Sequence, residues 1–167
     1  MPQGQWIWNL ADQHFPGAIQ IVDLYHAREH LWKVAAWLHP NEPAAKKLWM
    51  TPLKDLLDEG KIEPLVARLR EIAAEQCIAQ PKLSEEILTE ADYFKTNIDR
   101  MRYPEFRAKG LFVGSGVIEA GCKSVIGSRL KQSGMFWTVR GANHITALRC
   151  CRLNGRFEDY WEERRAA

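Results

Sequence analysis

The chain has 167 residues, of which 46% are hydrophobic and 26% charged, with a net charge of +2. That is enough chain for one domain with a real core, and too apolar a composition for long disorder. No apolar run approaches the roughly 18 to 20 residues of a membrane helix, and residues 1–9 lack a basic stretch ahead of an apolar one, so neither a membrane span nor a signal peptide is expected and the protein reads as cytoplasmic.

Residues 6–14 carry Trp6, Leu10 and Ala11 at helical spacing, and Phe15-Pro16-Gly17 stops that helix with a turn. The apolar run Ala18-Ile19-Gln20-Ile21-Val22 reads as a buried strand, closed by Asp23. From 25 to 38 the period is that of an amphipathic helix, ended by His39-Pro40-Asn41. Three more helices follow: 43–59 ending at Gly60, 62–80 ending before Pro81, and one opening at Ser84 with Leu83, Ile87, Leu88, Ala91 and Phe94 on its apolar side. Tyr103-Pro104 breaks the pattern. Ser115 is a plausible N-cap for the helix that holds Glu119, and helices at 138–152 and 156–165 complete the chain.

Charge is unevenly spread. Residues 1–99 have 10 Lys/Arg against 15 Asp/Glu, whereas residues 100–167 have 13 against 6. Between Arg100 and Arg156 the only acidic residues are Glu105 and Glu119. A basic final third points to a polyanion-facing surface. Arg129, Lys131, Arg140, Arg149 and Arg152 are the candidates for DNA-backbone contact, and Trp137, beside a glycine turn, for stacking on an unpaired base. The four cysteines, Cys77, Cys122, Cys150 and Cys151, show no CxxC spacing and read as reduced thiols.

Three groupings invite chemistry. His26-Ala27-Arg28-Glu29-His30 fits the inverted zinc-peptidase pattern, in which two histidines at i, i+4 bind zinc and a glutamate serves as base. A third ligand would be needed, with Glu119 as one option. Residues 116–124 come within one position of a phosphate-binding loop, but Cys122 separates Gly121 from Lys123 and Glu119 would repel a phosphate, so nucleotide hydrolysis is excluded. Glu119 itself, alone in an apolar and basic helix, is a candidate metal-binding carboxylate for two-metal phosphoryl transfer; the alternative is an i, i+4 pair with Lys123.

The strings WIWNLADQHFPGAIQIVDLYHAREHLW (6–32) and FVGSGVIEAGCKSVIGSRLKQSGMFWTVRGANHITALRCCRLNGRFEDYWEERR (112–165) resemble the C-terminal half of Kra-type bacterial insertion-sequence transposases, distant relatives of the Mutator-like transposases. The resemblance implies a catalytic domain of the ribonuclease H type with an Asp-Asp-Glu triad, a helical insertion before the glutamate helix, and Mg2+ or Mn2+ as cofactor. Glu119 would be the third carboxylate, and Asp23 with His26 the Asp-x-x-His signature at the end of the fifth strand. The first two catalytic aspartates precede the matched region in that family and are absent here, so the chain would be a truncated piece, inactive alone. The expected architecture is accordingly mostly α: a partial ribonuclease H-like α/β core at 1–40 with one recognisable strand, a helical insertion at 41–102, and core helices carrying Glu119 and a basic tail at 103–167. The expected function is that of a fragment of a DNA transposase. A non-enzymatic DNA-binding remnant or partner of a transposase is the alternative, and a zinc hydrolase built on His26 and His30 the weaker one. An unfinished sheet would also expose the edge of the strand at 18–22 and favour self-association.

Overall fold

The computed structural model describes residues 5–166, which divide into two compact units, 1–114 and 115–167. The missing aspartates concern the stretch ahead of Trp6, and residues 1–4 lie outside the described residues.

Unit 1 is built from helices. α1 (Gln5–His14) ends in a turn in which Gly17 takes a left-handed φ of 79°. α2 (Leu24–Leu38) starts at Asp23, whose carboxylate accepts the backbone N–H of His26 at 2.8 Å, an ordinary N-cap. Leu24, Ala27, Leu31, Val34 and Ala35 recur at helical spacing and are buried, so α2 turns one full face to the core. α3 (Pro43–Asp58) contributes Met50, Leu53 and Leu57, and α4 (Ile62–Gln76) contributes Ile62, Leu65, Val66, Leu69, Ile72 and Ala73. Between them Gly60, at φ 69°, makes the turn; a Cβ there would be strained by the backbone and would meet Pro104 Cδ at 3.0 Å. α5 (Pro81–Thr96) runs back along α4, and the buried Ser84 hydroxyl donates to the Ala73 carbonyl at 2.7 Å to tie the two together. A 3-10 turn (Ile98–Met101) and α6 (Tyr103–Ala108) close the unit. Pro104 therefore opens a helix, its missing N–H falling where helices leave that group unpaired anyway. Arg102 bridges Gly60 O and the Glu63 carboxylate, and this charged hydrogen bond holds the Glu63 carboxyl down at about 2.

One group in this core is at odds with its surroundings. Tyr103 is fully buried and its hydroxyl has no hydrogen-bond partner. Burial pushes the phenol pKa up, and the neighbouring Tyr93, Asp23 and Asp58 push it the same way. An unsatisfied buried hydroxyl costs about 1–3 kcal/mol. Tyr103→Phe is therefore expected to raise stability by about 1 kcal/mol, read as a higher midpoint in urea at unchanged slope; a loss of stability would mean that the hydroxyl is satisfied in solution.

The strand expected at 18–22 does not form, and none of the described residues is in a β-strand. The segment has no regular secondary structure, and its neighbours offer single bonds rather than a ladder: Val22 N donates to Arg100 O at 3.0 Å and, just beyond the run, Leu24 N to Val113 O at 2.8 Å. Val22 is buried while Ile19 is 52% exposed, so the run is half covered by helices instead of sandwiched in a sheet. Without strands there is no α/β core of the ribonuclease H type, and that part of the expected fold is wrong. The sheet edge invoked for self-association goes with it.

Unit 2 is also helical. α7 (Gly116–Cys122) runs into a π-helical turn (Lys123–Gly127) and a final short turn α8 (Ser128–Leu130). α9 (Val139–Leu153) is capped by the Thr138 hydroxyl, which accepts the Gly141 N–H, and α10 (Phe157–Ala166) follows a turn at Gly155. α9 contacts both the π turn and α10. No residue between Ser115 and Arg165 is buried, so this unit has no closed core of its own.

Candidate functional site

The sequence candidates fall in both units. In unit 1, capping by Asp23 starts α2 so that His26 and His30, one turn apart, share a helix face. Their Nε2 atoms stand 3.4 Å apart, with the rings edge-on at a centroid separation of 4.9 Å. The far nitrogen of each ring meets a carboxylate: His30 Nδ1 lies 2.5 Å from Glu90 of α5, and His26 Nδ1 lies 3.2 Å from Glu29. Tyr93 stacks on His30 at 3.8 Å, and Phe94 meets His30 edge-on. Burial and the negative charges of Glu90 and Asp23 push the Tyr93 phenol up to about 12, so it stays neutral across the physiological range. Arg28, one position beyond Ala27, reaches across to α3 and donates through both Nε and a terminal nitrogen to Asp58 at 3.1 and 2.6 Å. Such a fork fixes α2 against the end of α3.

Sequence reasoning missed Glu90 and Tyr93. Glu90 occupies a core position on α5, in step with Ile87, Ala91 and Phe94. A carboxylate at that place in an apolar stripe was the available signal, because a buried charge requires a partner.

The geometry corrects two chemical expectations. For the zinc-peptidase pattern, Glu29 is hydrogen-bonded to one of the two histidines rather than placed as a base, and no third protein ligand joins them. Among the described residues no group of three or more His, Cys, Asp or Glu side chains is placed to hold a metal ion. For the transposase reading, Asp23 and His26 belong to unit 1 and Glu119 to unit 2. Asp23 is spent on capping α2, and the Glu119 carboxylate accepts the Ser115 hydroxyl at 2.8 Å. Ser115 stands at the N-cap position expected of it, but its hydroxyl donates to the Glu119 carboxylate four residues on and makes no side-chain capping bond to the backbone. Among the described residues the sheet that would carry a two-Mg2+ centre does not form.

In unit 2 the five basic candidates divide by their surroundings. Arg129, Lys131, Arg140 and Arg152 are exposed. Arg149 is half-buried: its Nε donates to Val125 O at 2.9 Å, and one terminal nitrogen donates to Ser124 O and, at 2.7 Å, to the Ser128 hydroxyl. A π turn leaves carbonyls out of register with the ordinary helical donors. Arg149 from α9 satisfies them and so pins α9 to that turn. Arg149→Ala should cost unit 2 about 1–2 kcal/mol, read as roughly tenfold faster amide exchange in 123–130 with unit 1 unchanged. Arg149→Lys should not restore protection, since an ammonium lacks the fork; equal exchange in wild type and Arg149→Ala would show that the brace is dispensable. Trp137 is 37% exposed with the Arg129 guanidinium 6.0 Å from its ring, whereas its neighbour Phe136 is 98% exposed. Phe136, not singled out by sequence, is the more accessible ring.

No family model matches the sequence, and no solved structure does. A curated relative described as "UPF0236 protein in vanSb 3'region", from Streptococcus gallolyticus, is 32% identical over 88 residues. The likeness is partial. It takes in 53% of this chain and 19% of that protein, so the chain spans less than a fifth of its relative's length. Together with the absence of strands and of a metal-binding cluster among the described residues, these findings leave the Asp-Asp-Glu transposase reading, and the DNA-transposition activity attached to it, without support. No helix among the described residues is long and apolar enough to cross a membrane.

Proposed function

We propose that this chain is a DNA-binding protein that acts without catalysis and grips the duplex through its phosphates, using the basic segment 115–156. The observation that carries the reading is the charge of that segment together with its exposure. It holds seven Lys/Arg against one acidic residue, Glu119, and none of its side chains is buried. Arg149 is half-buried and Arg156 faces Asp159 at 3.8 Å; the exposed cations among the others release counterions when they meet a polyanion, which supplies affinity without sequence choice. Arg129, Lys131, Arg140 and Arg152 make the contacts; Arg149 holds the scaffold they stand on. Phe136 and Trp137 offer rings for stacking if the duplex opens. Cytoplasmic DNA is the partner, in keeping with four unpaired cysteines.

Fluorescence anisotropy with two labelled 20-base-pair duplexes of unrelated sequence tests this reading. Both duplexes should bind with affinities within a few-fold of each other in 50 mM salt. No binding to either one at that salt would reject the proposal.

A further inference from the structure

We propose that His26 and His30 form a two-histidine chelate for a divalent late transition-metal ion, Zn2+ or Ni2+. The site lies in unit 1, apart from the basic segment, and does not depend on DNA binding.

The argument begins with the facing nitrogens. Two imidazole nitrogens bound at about 2.0–2.1 Å to a tetrahedral zinc stand about 3.4 Å apart, and the Nε2 atoms of His26 and His30 already hold a separation of 3.4 Å. The outer nitrogens give the second point. Glu90 at His30 Nδ1 and Glu29 at His26 Nδ1 each favour a proton on that nitrogen. A carboxylate placed behind an imidazole in this way fixes the tautomer and leaves the lone pair on the opposite nitrogen, as it does for metal-ligating histidines. The two Nε2 atoms then face each other across 3.4 Å. Without an ion, a proton on one of them makes an Nε2–H···Nε2 hydrogen bond; a divalent ion displaces that proton and binds both nitrogens at once.

The surroundings suit an exchangeable ion. His30 is held firmly, stacked on Tyr93 and edge-on to Phe94, with its side chain only 13% exposed. The His26 side chain is 57% exposed, so the remaining coordination positions open to water. With two protein ligands the ion is completed by solvent. Glu29 sits behind a ligand rather than in front of the metal, so the chelate carries no hydrolytic step.

The test is calorimetric titration of the EDTA-stripped full chain with NiCl2, using wild type, His26→Ala and Glu29→Gln, and with Cys150→Ser/Cys151→Ser as the control for thiol binding. One Ni2+ per chain is expected in wild type and in the cysteine variant. His26→Ala should weaken binding at least tenfold, and Glu29→Gln by less. Because the substituted His26 is exposed, the variant's far-ultraviolet circular dichroism should match wild type. The ring resonances of His26 and His30 should shift on addition of the ion, while that of His144 stays in place. Absence of stoichiometric binding, or binding of equal strength in His26→Ala, overturns the proposal.

Discussion

Neutralising Arg129, Lys131, Arg140 and Arg152 together to alanine should weaken duplex binding by about 10²-fold or more at 50–100 mM salt, while leaving the fold intact. Each of the four is exposed, and none lies in the unit 1 core. Loss of a phosphate contact removes its counterion release along with its attraction, so the loss falls equally on all sequences. Arg129 also lies over the face of Trp137 at 6.0 Å, an exposed cation–π contact worth about 0.5–1 kcal/mol. The quadruple variant could therefore move the Trp137 ring as well as the charge, and Trp137→Phe separates the two effects. If the quadruple variant binds like wild type, the interface is elsewhere.

The second large effect concerns stability. Phe94→Ala should destabilise unit 1 by about 3–5 kcal/mol. Phe94 is fully buried on α5, packs edge-on against Tyr93 at 5.4 Å and meets His30 at 6.3 Å. Truncation would open a cavity directly behind the His30–Glu90 pair and loosen the stack that positions His30. Removing an exposed ring instead, as in Phe136→Ala, should change stability by less than about 0.5 kcal/mol. Denaturant unfolding of the two variants separates these outcomes. A Phe94→Ala variant as stable as wild type would mean that the α4–α5 region relaxes around the cavity or is not closely packed.

Much of the helical layout was legible. The amphipathic period marks the helix at 25–38, although Tyr25 and Trp32, read with Leu31 and Ala35 as its apolar side, are exposed and the buried face runs through Leu24, Ala27, Leu31, Val34 and Ala35; Gly60 marks the end of the third helix, and Thr138 the start of α9. These are local signals, carried by period and capping chemistry. The strand at 18–22 was not legible because strand formation depends on a partner elsewhere in the chain, whereas β-propensity describes only how such residues suit a pleated surface. Here Val22 N meets Arg100 O in a single bond, and no ladder forms among the described residues. The capping role of Asp23 was legible but not drawn from the sequence. An aspartate after an apolar run and before a helical pattern is an N-cap by its position, and the resemblance to transposases directed attention to catalysis instead.

The site shows the same division between local and distant. His26 and His30 share a face by spacing alone, but Glu90, which fixes His30, comes from sixty residues further on. Arg149 was indistinguishable from the other basic residues in the sequence, because its carbonyl partners lie 24 and 25 residues back along the chain. What separates it from Arg129 or Arg152 is tertiary contact.

The most direct test of DNA binding by residues 115–156 is the salt dependence of wild-type affinity for a non-specific duplex, measured by anisotropy between 50 and 200 mM. Four phosphate contacts predict a log–log slope near −3.6 and a fall of about 10²-fold across that range. A slope near zero, or no detectable complex at 50 mM, would contradict the account.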